Sequence, residues 1–152
     1  MSTARKGPLN WTTEVEAVKT AAEVVALLAG NGATHIGQEY DGGKPVSVTF
    51  VLKTEIGPRP YRLPVNVGGM YEALRKARLT GAIPPRYASR EQAERVAWRV
   101  AKMWLETQLA LMQAHMVSIA QVMLPYELVD EDRTVWDIRL EQGLKSLEAG
   151  TS

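Results

Sequence analysis

The chain has no cysteine and only one phenylalanine in 152 residues. Without thiols there is no disulfide framework, no cysteine-ligated zinc, no iron–sulfur cluster and no thiol nucleophile. Histidine is almost as scarce, and His35 and His115 are the only side chains that titrate near neutrality at ordinary pKa values. Neither sits in an H-E-x-x-H pattern. His35, Glu39 and Asp41 would share one face only if the strand that holds them alternates without interruption. Long apolar runs are missing too: nothing approaches the roughly 18 residues that span a bilayer. Met1 to Asn10 lacks the apolar core of a signal peptide. There is no Walker loop, no G-x-S-x-G, and no G-x-G-x-x-G after a strand. These absences set the expectation of a cytoplasmic protein that does not engage membranes and is not an enzyme, with no cofactor, no metal and no catalytic residue.

What is present is ordinary globular composition, 45% apolar and 23% charged, enough to bury a core within a single domain over 1–152. The net charge of +1 conceals an uneven distribution: residues 1–52 carry −1, 53–102 carry +7 and 103–152 carry −5. Such asymmetry points to a partner bearing phosphates, or to a basic face paired with an acidic one in the same chain or a neighbouring copy.

The pattern of elements predicts an α+β fold. Residues 1–12 read as a flexible tail. Thr13 and Glu16 stand in capping-box positions before a helical stripe of Val15, Val18, Ala22, Val25 and Leu28, giving a helix over 13–29 that Gly30-Asn31-Gly32 stops. Residues 33–40 read as a strand, Asp41 to Lys44 as a turn, and Val46, Val48, Phe50 and Leu52 alternate as a second strand. Tyr61-Arg62-Leu63 forms a short third strand that its flanking prolines confine to an edge or to strand ends. A helix over 67–79 follows, capped by Asn66, with Gly68-Gly69 in its first turn. After a Pro84-Pro85 turn, Ser89 and Gln92 open the longest helix, 89–117, which is apolar around most of its circumference and so expected to be buried by several partners. Thr134 and Asp137 cap a last helix, which follows the acidic loop Asp130-Glu131-Asp132 and is expected to complete the core. The architecture is thus a three-stranded antiparallel sheet packed on a long central helix, with an N-terminal and a C-terminal helix.

One constellation stands out. Arg95, Arg99 and Lys102 recur at helical spacing along the long helix, forming a cationic ridge suited to a phosphate backbone. Arg86 and Arg90 extend it upstream, and Arg75, Lys76 and Arg78 form a second cluster on the preceding helix. Trp98 and Trp104 lie among these cations, either as core residues or as stacking platforms of the kind single-strand binders use. The leading expectation is nucleic-acid binding, single strands favoured. The alternative is a protein-interaction module, a host-factor inhibitor or a self-assembling homo-oligomer, that uses the basic middle and the acidic C-terminus.

The strings Glu94-Arg95-Val96-Ala97-Trp98-Arg99, Trp104-Leu105-Glu106-x-Gln108 and Leu124-Pro125-Tyr126, with Gly32-Ala33-Thr34 and Phe50 to Leu63-Pro64 upstream, run through residues 13–128. In them the chain resembles a family of small phage and mobile-element proteins to which no function is assigned. The resemblance implies a mobile-element setting and no particular activity. In element order alone, residues 13–79 are similar to the double-stranded RNA-binding domain, without its lysine-rich second helix. A meander followed by a long basic helix is also similar to the core of single-strand-annealing proteins.

Overall fold

The computed structural model describes residues 7–150. Its helices are α1 (Ala17–Gly30), α2 (Val67–Leu79), α3 (Arg90–Gln113), α4 (Ile119–Met123) and α5 (Val135–Gly150). Between α1 and α2 lie strands β1 (Thr34–Asp41), β2 (Lys44–Thr54) and β3 (Gly57–Arg62), which form one antiparallel sheet in the order β1-β2-β3. This is the expected α+β architecture, with the 24-residue α3 as its long central helix. No helix among the described residues is long and apolar enough to cross a membrane.

The main core joins α1, the sheet, α3 and α4. Val48, Phe50 and Leu52 point inward from β2, as their alternation requires, and meet Ala21, Val24 and Leu28 of α1 and Trp98, Leu105 and Leu109 of α3. Trp98 is fully buried, and its indole N–H donates to the Pro45 carbonyl at 3.1 Å, so the sheet is tied to the central helix. The bond satisfies the one polar group that burying a Trp removes from water. A second, smaller cluster of Leu74, Ile83 and Ala93 joins α2 to the start of α3. Trp11 and Tyr87 pack against it, their rings edge to face with centroids 4.9 Å apart. Residues 7–12 are therefore packed rather than a loose tail; 1–6, like 151–152, lie outside the described residues.

Several boundaries differ from the sequence expectation, each for a local reason. The capping box at Thr13 does not form. The Thr13 hydroxyl accepts instead from the Val15 amide at 3.2 Å, Gln92 donates to the carbonyls of Trp11 and Thr13 at 2.8 and 2.9 Å, and α1 starts a turn later, at Ala17. The inward face of α1 is correspondingly Ala17, Ala21, Val24 and Leu28, while Val18 is exposed. Strand β1 is bulged at Thr34–Gly37, where His35 takes φ 52°, and is irregular again at Glu39–Tyr40. Regular alternation from His35 to Asp41 is thereby lost, and the described residues hold no cluster of three metal-ligating side chains. Helix α3 ends at Gln113 rather than 117, because His115 adopts φ 56° and the Met116 and His115 amides bond back to Leu111 and Met112, each at 3.0 Å. That is the double closure of a left-handed helix terminus.

The largest departure is α5. Its capping box forms as expected, the Asp137 amide donating to the Thr134 hydroxyl and the Thr134 amide to Asp137 Oδ2. Yet none of its residues is buried, so the helix adds nothing to the core. The chain leaves the core at an isolated bridge, Tyr61 to Glu127, which covers part of the outer edge of β3, and α5 continues outward from there. The central helix is likewise less enclosed than its apolar circumference suggested: Val100 and Trp104 are half-buried and Met103 is 39% exposed.

Candidate nucleic-acid interface

The structure divides the eight candidate cations into two groups. The ridge comes first in sequence logic. Arg95, Arg99 and Lys102 do line one edge of α3, but α1 runs beside that edge in the same direction and sets carboxylates opposite. Arg95 Nε meets Glu16 Oε1 at 3.0 Å. Arg99 Nη1 and Lys102 Nζ share Glu23 Oε2, each at 2.8 Å, and Lys102 also lies 4.0 Å from Glu106. Hydrogen bonds from Lys102 and then Arg99 pull the Glu23 carboxyl from its ordinary 4.5 down to about 2. The three cations are largely covered, with side-chain exposures of 21–26%. Trp98, the aromatic inside the ridge, is a core residue and offers no ring face to a ligand. A pairing signal was present in the sequence: Glu16 and Glu23 are seven apart, as are Arg95 and Lys102, so two parallel helices bring both pairs together at once.

The second group occupies the corner where α2 turns into α3. Tyr71, half-buried on α2, has two guanidinium groups over its ring: Arg75 at 5.9 Å and Arg90 at 5.8 Å from the centroid. Arg78 follows Tyr71 by seven residues, two turns along the same face of α2. Arg86 in the intervening turn lies 4.7 Å over Tyr87. Arg75 bonds to Glu72 of its own helix at 3.1 Å, but both side chains are more than half exposed, and such a pair holds its partner weakly. Lys76, Arg78, Arg86 and Arg90 have no carboxylate partner among the described residues. Arg90 is also the first residue of α3, so its charge adds to the positive end of the helix dipole instead of offsetting the negative one.

The acidic C-terminal segment neutralises part of the basic middle, though not this corner. Glu127 lies 3.9 Å from Arg59, and Arg62 donates to the carbonyls of Glu131 and Asp132 at 3.1 and 3.0 Å. Asp130 accepts from the amides of Asp132 and Arg133, which hold its carboxyl below the usual range and close the acidic loop on itself. Asp137 is held low by the Thr134 amide and hydroxyl, and burial pushes the Tyr61 phenol up. Every shifted carboxyl thus belongs to an ion pair, a loop or a helix cap. At Gly68-Gly69 the first-turn amide of Gly69 is taken by the Asn66 side chain at 2.9 Å, which closes the cap internally.

No protein-family model, no curated protein and no solved structure matches this chain.

Proposed function

We propose that the protein is a non-catalytic nucleic-acid-binding module, single strands favoured, whose phosphate-contacting surface is the α2–α3 corner rather than the ridge of α3. The observation that carries this reading is the pair of arginines over Tyr71, with no carboxylate of the described residues within 4.0 Å of Arg90 and only an exposed one against Arg75. Both guanidiniums keep donors that a phosphate backbone would take as charge-assisted hydrogen bonds. Aromatic rings among cations are what a flexible strand uses for stacking as it follows a basic groove. The mobile-element setting implied by the sequence resemblance is part of the same proposal.

The test is titration of labelled single- and double-stranded oligonucleotides at two salt concentrations, with wild-type protein and two double variants. Arg75→Glu with Arg90→Glu should weaken binding at least tenfold and flatten its salt dependence, because fewer counterions are released. Arg95→Glu with Arg99→Glu, checked for folding by circular dichroism, should leave the salt slope close to wild type. Absence of salt-sensitive binding to wild type, or binding indifferent to the corner variant, would overturn the reading.

A further inference from the structure

The exposed face of α5 is the least expected surface on the molecule. Trp136, Leu140, Leu144 and Leu147 follow one another at spacings of 4, 4 and 3 and are 55%, 44%, 52% and 67% exposed. An isolated 16-residue helix is marginal in water, and most helical stability in proteins comes from packing an apolar stripe. No residue of this stripe is buried against the described residues of its own chain.

A complementary surface lies on the open side of α3. Met70 of α2, Val100 and Trp104 of α3, and Tyr126 line an apolar cleft of about 260 Å³. It continues along α3 past Met103 to Gln108, through a second hollow that shares Val100 and Trp104. Trp104 and Tyr126 form its floor edge to face, with ring centroids 5.1 Å apart. Residues 97–108 of the groove and 136–147 of the stripe each run about 18 Å at the helical rise of 1.5 Å per residue. The two surfaces adjoin at Tyr126, which lines the groove on one side and, with Thr134 and Asp137, a cleft at the foot of α5 on the other.

We infer that α5 of one copy docks its Trp136–Leu147 stripe into the α3 groove of a second copy, and that the exchange is reciprocal. A second copy is favoured as the occupant because one chain carries both surfaces, apolar and matched in length: α5 holds three carboxylates against two cations, and no charged side chain lines the groove. Stripe and groove adjoin on each molecule, so a two-fold axis places both docking contacts in one continuous interface. Two reciprocal contacts also bring the buried area toward the size of a stable interface, which one short helix in one groove does not reach. A helix laid in a groove is read through anchors at i, i+4 and i+7, the spacing found here.

The absence of native cysteine makes the arrangement directly testable. The full chain should elute as a dimer by size exclusion with light scattering. Leu140→Glu on the stripe and Met103→Glu in the groove both alter exposed side chains and so spare the core, and each should shift the protein to monomer. Their mixture retains one intact stripe and one intact groove and should recover part of the dimer. Leu140→Cys combined with Met103→Cys should oxidise to a species of twice the chain mass. A monomeric wild type at every concentration would overturn the inference. So would a dimer that Met103→Glu leaves intact, since that would mean α5 pairs with another α5.

Discussion

Two basic regions of similar composition end up in opposite states. On α3, Arg95, Arg99 and Lys102 face α1, and each has a carboxylate within 3.0 Å. At the corner, Arg90, Arg86 and Arg78 face outward, with tyrosine rings beside the first two and no carboxylate partner among the described residues. The supports differ as well. The ridge sits over the main core with Trp98 beneath it, while the corner rests on the small cluster of Leu74, Ile83 and Ala93. A cation's availability is thus decided by which element the fold sets opposite it, not by its helical spacing.

The sharpest way to break this contrast is through the supports. Trp98→Ala should cost about 3–5 kcal/mol by urea denaturation, and Leu74→Ala about 2–4 kcal/mol. If the corner is a separate, weaker unit, Leu74→Ala should raise amide exchange mainly in α2, while Trp98→Ala should raise it throughout. Next in size is the unmasking of the ridge. Glu23→Gln leaves Arg99 and Lys102 without their shared carboxylate, and oligonucleotide affinity at low salt should rise several-fold. Unchanged affinity would mean that the ridge is sterically closed as well as neutralised.

The same residue governs an acid limb. The Glu23 carboxyl is lowered in the folded protein, so its contribution is complete above its ordinary 4.5 and is lost as pH falls toward about 2. Asp137 is shifted in the same direction and adds to that loss. Thermal melts of wild type should therefore fall across this window, and those of Glu23→Gln should fall less steeply. A parallel decline in both would remove the ion pair from the account. The smallest effect belongs to the end of α3. His115→Gly relieves a left-handed conformation that costs a side chain about 1–2 kcal/mol but adds unfolded-state entropy worth about 0.5–1, for a net gain of at most about 1.5 kcal/mol, read by urea denaturation.

Much of the fold was legible in the sequence. Ser89, Asn66 and the Thr134–Asp137 pair marked helix starts because a cap is a local hydrogen bond between neighbours in the chain. The strict alternation of β2 placed Val48, Phe50 and Leu52 inside because successive side chains point to opposite faces. The failures share one cause. The Thr13 carbonyl is held by Gln92, a residue 79 positions away, and α1 starts beyond it. His35 sits in a bulge fixed by pairing with β2.

The candidate site divides along the same line. By itself the sequence determined that the cations fall in two helical clusters, that Trp98 lies among them, and that no thiol or familiar nucleotide-binding loop is present. Only the tertiary structure decided that Glu16 and Glu23 would close one cluster and leave the other open, and that α5 would carry its leucines into solvent. Local rules act through neighbours in the chain, whereas charge pairing and burial depend on which distant segments the packed core brings within a few ångströms.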